Sequence, residues 1–222
     1  MDAAATNEPL RTDIVSDVVC PWCAVGYNQL AEAARRTGVA LDIHWQPFEL
    51  NPDMVSEGED LREHLTAKYG STEEQSAQIR AQLTQLGEEL GFAFRFHDAM
   101  RIYNTFHAHQ LIGWAEAQGK GHEAKLALLE AYFTHGRDVS DLDVLEETAA
   151  AIGLDAAAAR EALERGDEAE TVRQREAFWV RQGITGVPAI VFEGRHLVTG
   201  AQGVETYAAI LKLLTAQSPA EA

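Results

Sequence analysis

The sequence predicts an α/β fold whose strands lie toward the two ends of the chain and whose middle is helical. Three observations carry this. The β-branched run "TDIVSDVV" at 12–19 passes into a helical pattern and then into an alternating apolar run ending near Phe48. From about Asp53 to Gln182 the apolar residues follow helical spacing between Gly and Asp punctuation, and β-rich runs return in "GVPAIVFEGRHLVTG". The chain therefore divides into a discontinuous α/β domain, strand-helix-strand over 10–52 and strand-strand-helix over 183–216, with 53–182 inserted as a helical domain.

In order along the chain, "PWCAVGYNQLAEAARR" places Trp22, Val25, Leu30 and Ala33 on one helical face, with Gly38 as the stop. Pro21 suits the first helical turn, where a missing N–H costs nothing. Val39, Leu41, Ile43 and Trp45 alternate at a spacing of two, the pattern of a half-buried strand. Ser71 and Glu74 form a capping-box pair ahead of Ile79, Leu83, Leu86 and Leu90, and Gly91 ends that helix. Phe92, Phe94 and Phe96 interrupt before a series of further helical patterns, none repeating with a solenoid's period. "GVPAIVFEGRHLVTG" reads as a hairpin turning at Glu193 and Gly194. Val204, Tyr207, Ile210, Leu211 and Leu214 mark a closing amphipathic helix.

With 222 residues, 46% of them hydrophobic and 24% charged, the chain is long enough for a substantial core and has the composition of a soluble globular protein. Its net charge of −17, from 18 basic and 35 acidic side chains, argues against nucleic acid or an anionic membrane surface as partner. No apolar run approaches the roughly 20 residues that span a bilayer. The opening "MDAAATNEPLRTD" lacks the basic start and apolar stretch of a secretory leader, so the expected compartment is the cytoplasm. There a structural disulfide is normally kept reduced, which points two close cysteines toward redox chemistry or metal binding.

Cys20 and Cys23 are the two cysteines of the chain, separated by Pro21 and Trp22. Cys20 stands where strand gives way to helix, so unpaired backbone N–H groups and the positive end of the helix dipole favour its thiolate. Cys23, one turn further on, is expected to be more buried and less ionised. That asymmetry suits disulfide exchange, in which Cys20 attacks and Cys23 resolves the mixed disulfide. A structural zinc site needs two further ligands at suitable spacing, and His107 and His109 do not share one helical face, so no metal is expected at this pair. Val187 and Pro188 open a strand. The default there is a trans proline on an edge strand, while Gly186 and Val187 ahead of it are also compatible with a cis bond that bares backbone for an extended polypeptide.

"SDVVCPWC" with Gly26, "WQPFELNP", "NTFHAHQL", "AYFTHGRDVSD", "GVPAIVF" and "GAQ" occur in the order seen in DsbA-family thioredoxin-like oxidoreductases of the FrnE type, which the chain resembles from about Thr12 to Leu214. The resemblance implies a thioredoxin fold interrupted by a helical domain, with a redox-active Cys-x-x-Cys facing a cis-proline loop. By that similarity Cys20 is the nucleophile, Cys23 the resolving thiol, and Val187 with Pro188 the substrate-docking loop. Two departures matter. Some FrnE-type proteins carry a second cysteine pair near the C-terminus, and "TAQSPAEA" has none. The related 2-hydroxychromene-2-carboxylate isomerases typically place serine where Cys20 stands.

Trp22 is a candidate apolar contact for substrate beside the disulfide, or simply a partly buried aromatic at a helix start. Asn104 and His109, within "NTFHAHQL", are candidates to line the cleft facing Cys20, where a histidine can tune a thiolate or trade protons. A helix-capping asparagine and a satisfied histidine are the plainer roles. Phe92, Phe94, Phe96 and Phe106 read as core or as the rim of an apolar groove, and Tyr132, Phe133 and Arg137 as packing of the helical block.

The expected function is a thiol-disulfide oxidoreductase acting on protein or small-molecule disulfides through the Cys20–Cys23 couple. It needs no bound cofactor, and glutathione is a possible co-substrate. The alternatives are a glutathione-dependent isomerase or transferase using the same cleft and a noncatalytic peptide- or metabolite-binding module. A homodimer formed through the helical block is compatible with the sequence.

Overall fold

The computed structural model describes residues 8–217 apart from Ser56. Most of the N-terminal segment read above as lacking a leader, and the end of the cysteine-free tail, lie outside the described residues. Strand β1 (Leu10–Ser16) runs parallel to β2 (Leu41–Pro47) on one side and antiparallel to β5 (Ala189–Phe192) on the other; β6 (His196–Thr199) closes the sheet beside β5. Helix α1 (Pro21–Thr37) links β1 to β2, and α9 (Val204–Gln217) follows β6.

Strand pleating sorts the sheet residues. Ile14, Ile190 and Phe192 point into the same core as Leu30 and Ala33 of α1 and Tyr207 and Leu211 of α9. Val15, Ala189 and Val191 point the other way, onto Trp179 near the end of α8 (Ala169–Arg181) and Ile184 in the loop after it. The β5–β6 turn places both Glu193 and Gly194 at positive φ, 53° and 65°, as the mirror-image turns of tight hairpins require.

Between β2 and β5 lie α2 (Leu61–Tyr69), α3 (Glu73–Leu90), α4 (Phe106–Glu116), α5 (Gly121–Phe133), α6 (Leu142–Ala151), α7 (Ala156–Arg165) and α8. Their buried residues, among them Leu83, Leu111, Leu128 and Leu145, belong to the same continuous core as the sheet's Ile14. Phe92, Phe94 and Phe96 gather around Phe133, with the Phe94 ring stacked on Phe96 at 5.4 Å and edge-on to Phe133 at 5.1 Å.

Several expectations change in detail. The first strand stops at Ser16, not Val19: the Asp17 carboxylate turns inward to accept the Leu50 N–H at 2.7 Å, and Val18 and Val19 are buried in the turn that follows. Tertiary burial here outweighs β-propensity. The capping box forms one residue later than expected: Thr72 accepts the Gln75 N–H at 3.2 Å and Gln75 accepts the Thr72 N–H at 3.0 Å. Both registers satisfy the required spacing; within α3 Leu83 is buried and Ile79 is exposed. The helical block also contains a two-residue pair of strands, β3 (Glu59–Asp60) against β4 (Arg101–Ile102), too short to leave a periodic signal. Arg137 is not part of the packing; it pairs with Glu147 at the surface.

Candidate active site

Helix α1 begins one residue after Cys20. This residue is the N-cap, in extended backbone geometry, with no side-chain capping bond and with Pro21 next. Pro21 has no N–H, and the Cys23 and Ala24 N–H groups go to the Cys20 carbonyl at 3.1 and 3.4 Å, so what the start of α1 offers Cys20 is the positive end of the helix dipole. Cys20 and Cys23 are both reduced and buried, and they approach to 3.3 Å. Trp22 between them is half-buried against the core.

The 183–188 loop comes up opposite. The Val187–Pro188 peptide is cis, and the Val187 carbonyl oxygen lies 3.8 Å from the Cys20 Sγ. The Pro188 carbonyl accepts the Gly200 N–H at 2.8 Å, and the Gly200 carbonyl accepts the Tyr207 hydroxyl at 2.9 Å, anchoring the loop to α9. A groove of about 370 Å³ runs between this loop and β6, lined by Val187, Pro188, Leu197 and Thr199. A larger groove, about 830 Å³, lies between α8 and the hairpin end of β5–β6, and neither groove is lined by Cys20 or Cys23. Tyr69, an exposed side chain at the end of α2, has its phenol pushed up by partial burial and by charge on Cys20.

Beneath the cysteines sits a buried polar cluster. Asp17, three residues before Cys20, is buried, and so are His109 of α4 and Lys125 of α5. His109 Nε2 donates to the Phe48 carbonyl at 3.2 Å; since a carbonyl only accepts, this nitrogen carries the proton, and it lies 3.5 Å from Asp17 Oδ1. Burial pushes the Asp17 carboxyl up. The contact with His109, the Leu50 N–H and the Lys125 charge outweigh that and hold it below its ordinary value. Cys23 is pushed well up, first by burial and then by the adjacent Cys20, with Lys125 and the Asp17 backbone pulling it down. The Lys125 ammonium, 5.3 Å from the centre of the Trp45 ring, is lowered to about 8 by burial while Cys23, Asp17 and Cys20 oppose the shift. Glu49, buried next to Phe48 and in contact with Arg173 of α8, is raised to about 7 by burial and by Glu176, with Arg173 acting against this.

Cys20, Cys23, Pro21, Trp22, Val187 and Pro188 therefore come together. For His109 and Asn104 the contacts found are with other groups. The His109 ring meets Asp17 and the Phe48 carbonyl, and the Asn104 Oδ1 accepts the Phe106 N–H at 2.9 Å at the start of α4. Phe106 instead carries the Arg173 guanidinium, 3.8 Å above its ring. Lys125 escaped sequence reading, although a signal was present. It shares the helical face of Gly121, Ala124, Leu128, Leu129, Tyr132 and Phe133, all buried, where a lysine is out of place.

Residues 11–212 match the DSBA-like thioredoxin domain. The chain belongs to that family. Among solved structures it is similar to a probable DsbA oxidoreductase, SCO1869 from Streptomyces coelicolor, with 31% identity, a TM-score of 0.87, and coverage of 96% of this chain and 93% of that one. It is also similar to the uncharacterized protein YwbO of Bacillus subtilis (strain 168), 27% identical over 195 residues, 87% of this chain and 92% of YwbO. The fold recurs in the cytosolic disulfide reductase DsbM from Pseudomonas aeruginosa, at 19% identity and a TM-score of 0.66, covering 94% of this chain and all of that one. Among the described residues of this DSBA-like domain, no group of three or more His, Cys, Asp or Glu side chains is arranged to hold a metal ion, and no helix is long and apolar enough to cross a membrane.

Proposed function

We propose that this DSBA-like domain is a thiol-disulfide oxidoreductase that exchanges electrons with protein or small-molecule disulfides through Cys20 and Cys23. The observation that carries the reading is the approach of the two cysteines at the start of α1, with the Val187 carbonyl 3.8 Å from the Cys20 sulfur. In the reducing direction the Cys20 thiolate attacks one sulfur of a substrate disulfide, forming a mixed disulfide and releasing the first substrate thiolate. Cys23 then attacks Cys20 Sγ, the second substrate thiolate leaves, and the enzyme is left as the Cys20–Cys23 disulfide. Two equivalents of a thiol reverse these steps and reset the site.

Pro21, Trp22, Val187 and Pro188 are the substrate-docking residues in this reading, and the groove beside β6 receives an extended segment. Glutathione is the favoured small-molecule thiol, because a further structure of the similar DsbM was solved with GSH. The cytoplasm is the favoured compartment and reduction the favoured direction, consistent with the cytosolic reductase sharing this fold. The isomerase reading is weaker because a thiol stands at position 20.

The test is insulin-reduction turbidity together with intact mass before and after dithiothreitol. Wild type should gain two hydrogens reversibly and turn over, and Cys20→Ser should do neither. Equal turnover by wild type and Cys20→Ser would exclude the proposal.

A further inference from the structure

We propose that Gln29 is a positioning residue for polypeptide substrates: its side chain ties the β6–α9 connection to the cysteine helix, and through that connection it holds the Val187–Pro188 segment where a substrate chain docks beside Cys20. The assignment rests on the exchange reaction proposed above and names a residue that favours polypeptide disulfides over small ones.

Position 29 is one at which α1 has no local use for a polar group. It lies four residues after Val25, three after Gly26 and four before Ala33, on the helix face that buries all three, and Gln29 itself is only 7% exposed. Leucine or methionine would fill this place without burying a polar group, so an amide here calls for a partner. That partner is remote in the chain: Gln29 Oε1 accepts the Gly203 N–H at 2.8 Å. Gly203, at a φ of 89°, opens α9 by accepting the Tyr207 N–H on its carbonyl at 3.1 Å, and its own N–H lies outside the bonding pattern of that helix.

The rest of the connection is bonded on its other side. The Thr199 carbonyl accepts Gln202 Nε2 at 2.6 Å, the Gly200 carbonyl accepts the Tyr207 hydroxyl at 2.9 Å, and the Gly200 N–H donates to the Pro188 carbonyl at 2.8 Å. These bonds shape residues 199–203 and fasten them to α9 and to Pro188, while the bond from Gln29 fastens them to α1. A ring of contacts closes in this way, from Cys20 along α1 to Gln29, across to Gly203, back through Gly200 to Pro188, and from the Val187 carbonyl to Cys20 Sγ at 3.8 Å. Apolar packing at Gly26 against Pro188 and Ala201 keeps the surfaces together without direction; the hydrogen bond fixes how the connection sits along α1. A small disulfide has only to reach the Cys20 sulfur, whereas a polypeptide must also lie along Val187 and Pro188, so a shift of that segment weakens docking of the polypeptide far more.

The experiment compares two substrates. Insulin reduction with dithiothreitol as reductant is measured over a range of insulin concentrations, and prereduced enzyme is mixed rapidly with 5,5′-dithiobis(2-nitrobenzoate) to follow thionitrobenzoate release. Gln29→Met, which matches the length and removes the acceptor, should lower kcat/KM for insulin about tenfold, carried by KM, and should slow thionitrobenzoate release by about twofold at most. Gln29→Glu, which keeps an acceptor oxygen at the same reach, should recover most of the insulin loss. Equal losses on the two substrates, a wild-type KM for insulin in Gln29→Met, or a Gln29→Glu no better than Gln29→Met each overturn the assignment. A second measurement does not need these variants. Cys23→Ser is held as a mixed disulfide with a single-cysteine peptide, and exchange of the Gly203 amide is followed by NMR with and without the peptide. Docking should raise Gly203 protection about fivefold, because a bond that favours docking is favoured by it in return. Unchanged protection overturns the assignment even if the Gln29 variants do not fold. A wild type that reduces neither substrate removes the exchange reaction itself and this assignment with it, whereas an active wild type beside unaffected Gln29 variants removes the assignment alone.

Discussion

Gly26 of α1 and Pro188 of the cis loop are in direct contact: a Cβ at position 26 would stand 3.1 Å from the Pro188 Cγ and 3.7 Å from Ala201. The bare backbone at Gly26 is what lets the loop settle against the cysteine helix, bringing the Val187 carbonyl to the Cys20 sulfur.

Helix propensity alone favours Gly26→Ala by about 1 kcal/mol. The added methyl must displace Pro188, so the expected result is little net change in stability with several-fold slower insulin reduction. Denaturant unfolding and turbidity assays measure the two. Unchanged turnover would show that the loop position does not matter.

Cys23→Ser should accumulate mixed disulfides on Cys20, visible as adducts on non-reducing gels that dithiothreitol releases. Cys20→Ser should accumulate none, because Cys23 is buried and burial holds its thiol protonated.

For Lys125 the linkage has a definite sign. Its folded midpoint of about 8 lies below the ordinary 10.5, so between these values the unfolded chain binds more protons. Wild-type stability relative to Lys125→Met should therefore rise with pH across that window, by up to about 3 kcal/mol. Urea unfolding of both reduced proteins between pH 7 and about pH 10.5 checks it. A pH-independent difference would mean that the amine titrates normally.

Gly87→Ala in α3 tests whether packing overrides propensity. The new Cβ would lie 2.3 Å from the Phe92 carbonyl oxygen and 2.6 Å from Phe94 Cδ2. The expected outcome is destabilisation by about 2 kcal/mol or more, despite the helical preference for alanine. A rise in the thermal midpoint would contradict the packing described around Phe94.

His122 should be neutral with its proton on Nε2, because Nδ1 accepts the Trp45 N–H at 3.1 Å; Nε2 then meets the Tyr27 hydroxyl at 3.1 Å. Burial lowers its proton affinity, with Glu123 opposing. Its contribution to stability is thus complete above pH 6.5 and is lost as the pH falls from there through the lowered midpoint. Long-range ¹⁵N–¹H NMR identifies the tautomer, and an Nδ1–H signal at neutral pH would refute it.

Local chemistry was well recorded in the sequence. Pro21 and Gly38 bracket α1, Glu193 and Gly194 make the hairpin turn, and the alternation through Trp45 marks β2, because each depends on neighbours a few residues away. The capping box was legible in kind but not in register, since two overlapping residue pairs satisfy the same rule.

By itself the sequence determined that two thiols stand at a strand-to-helix junction with α/β segments at both ends of the chain; caps, turns and periodicity act over a few residues and leave their mark there. The tertiary structure alone decided what surrounds those thiols. It brought Val187 against Cys20, spent His109 on Asp17 and the Phe48 carbonyl, and buried Lys125 against the Trp45 ring. Burial and charge coupling arise between groups far apart in the chain, and no local pattern encodes which of them will meet.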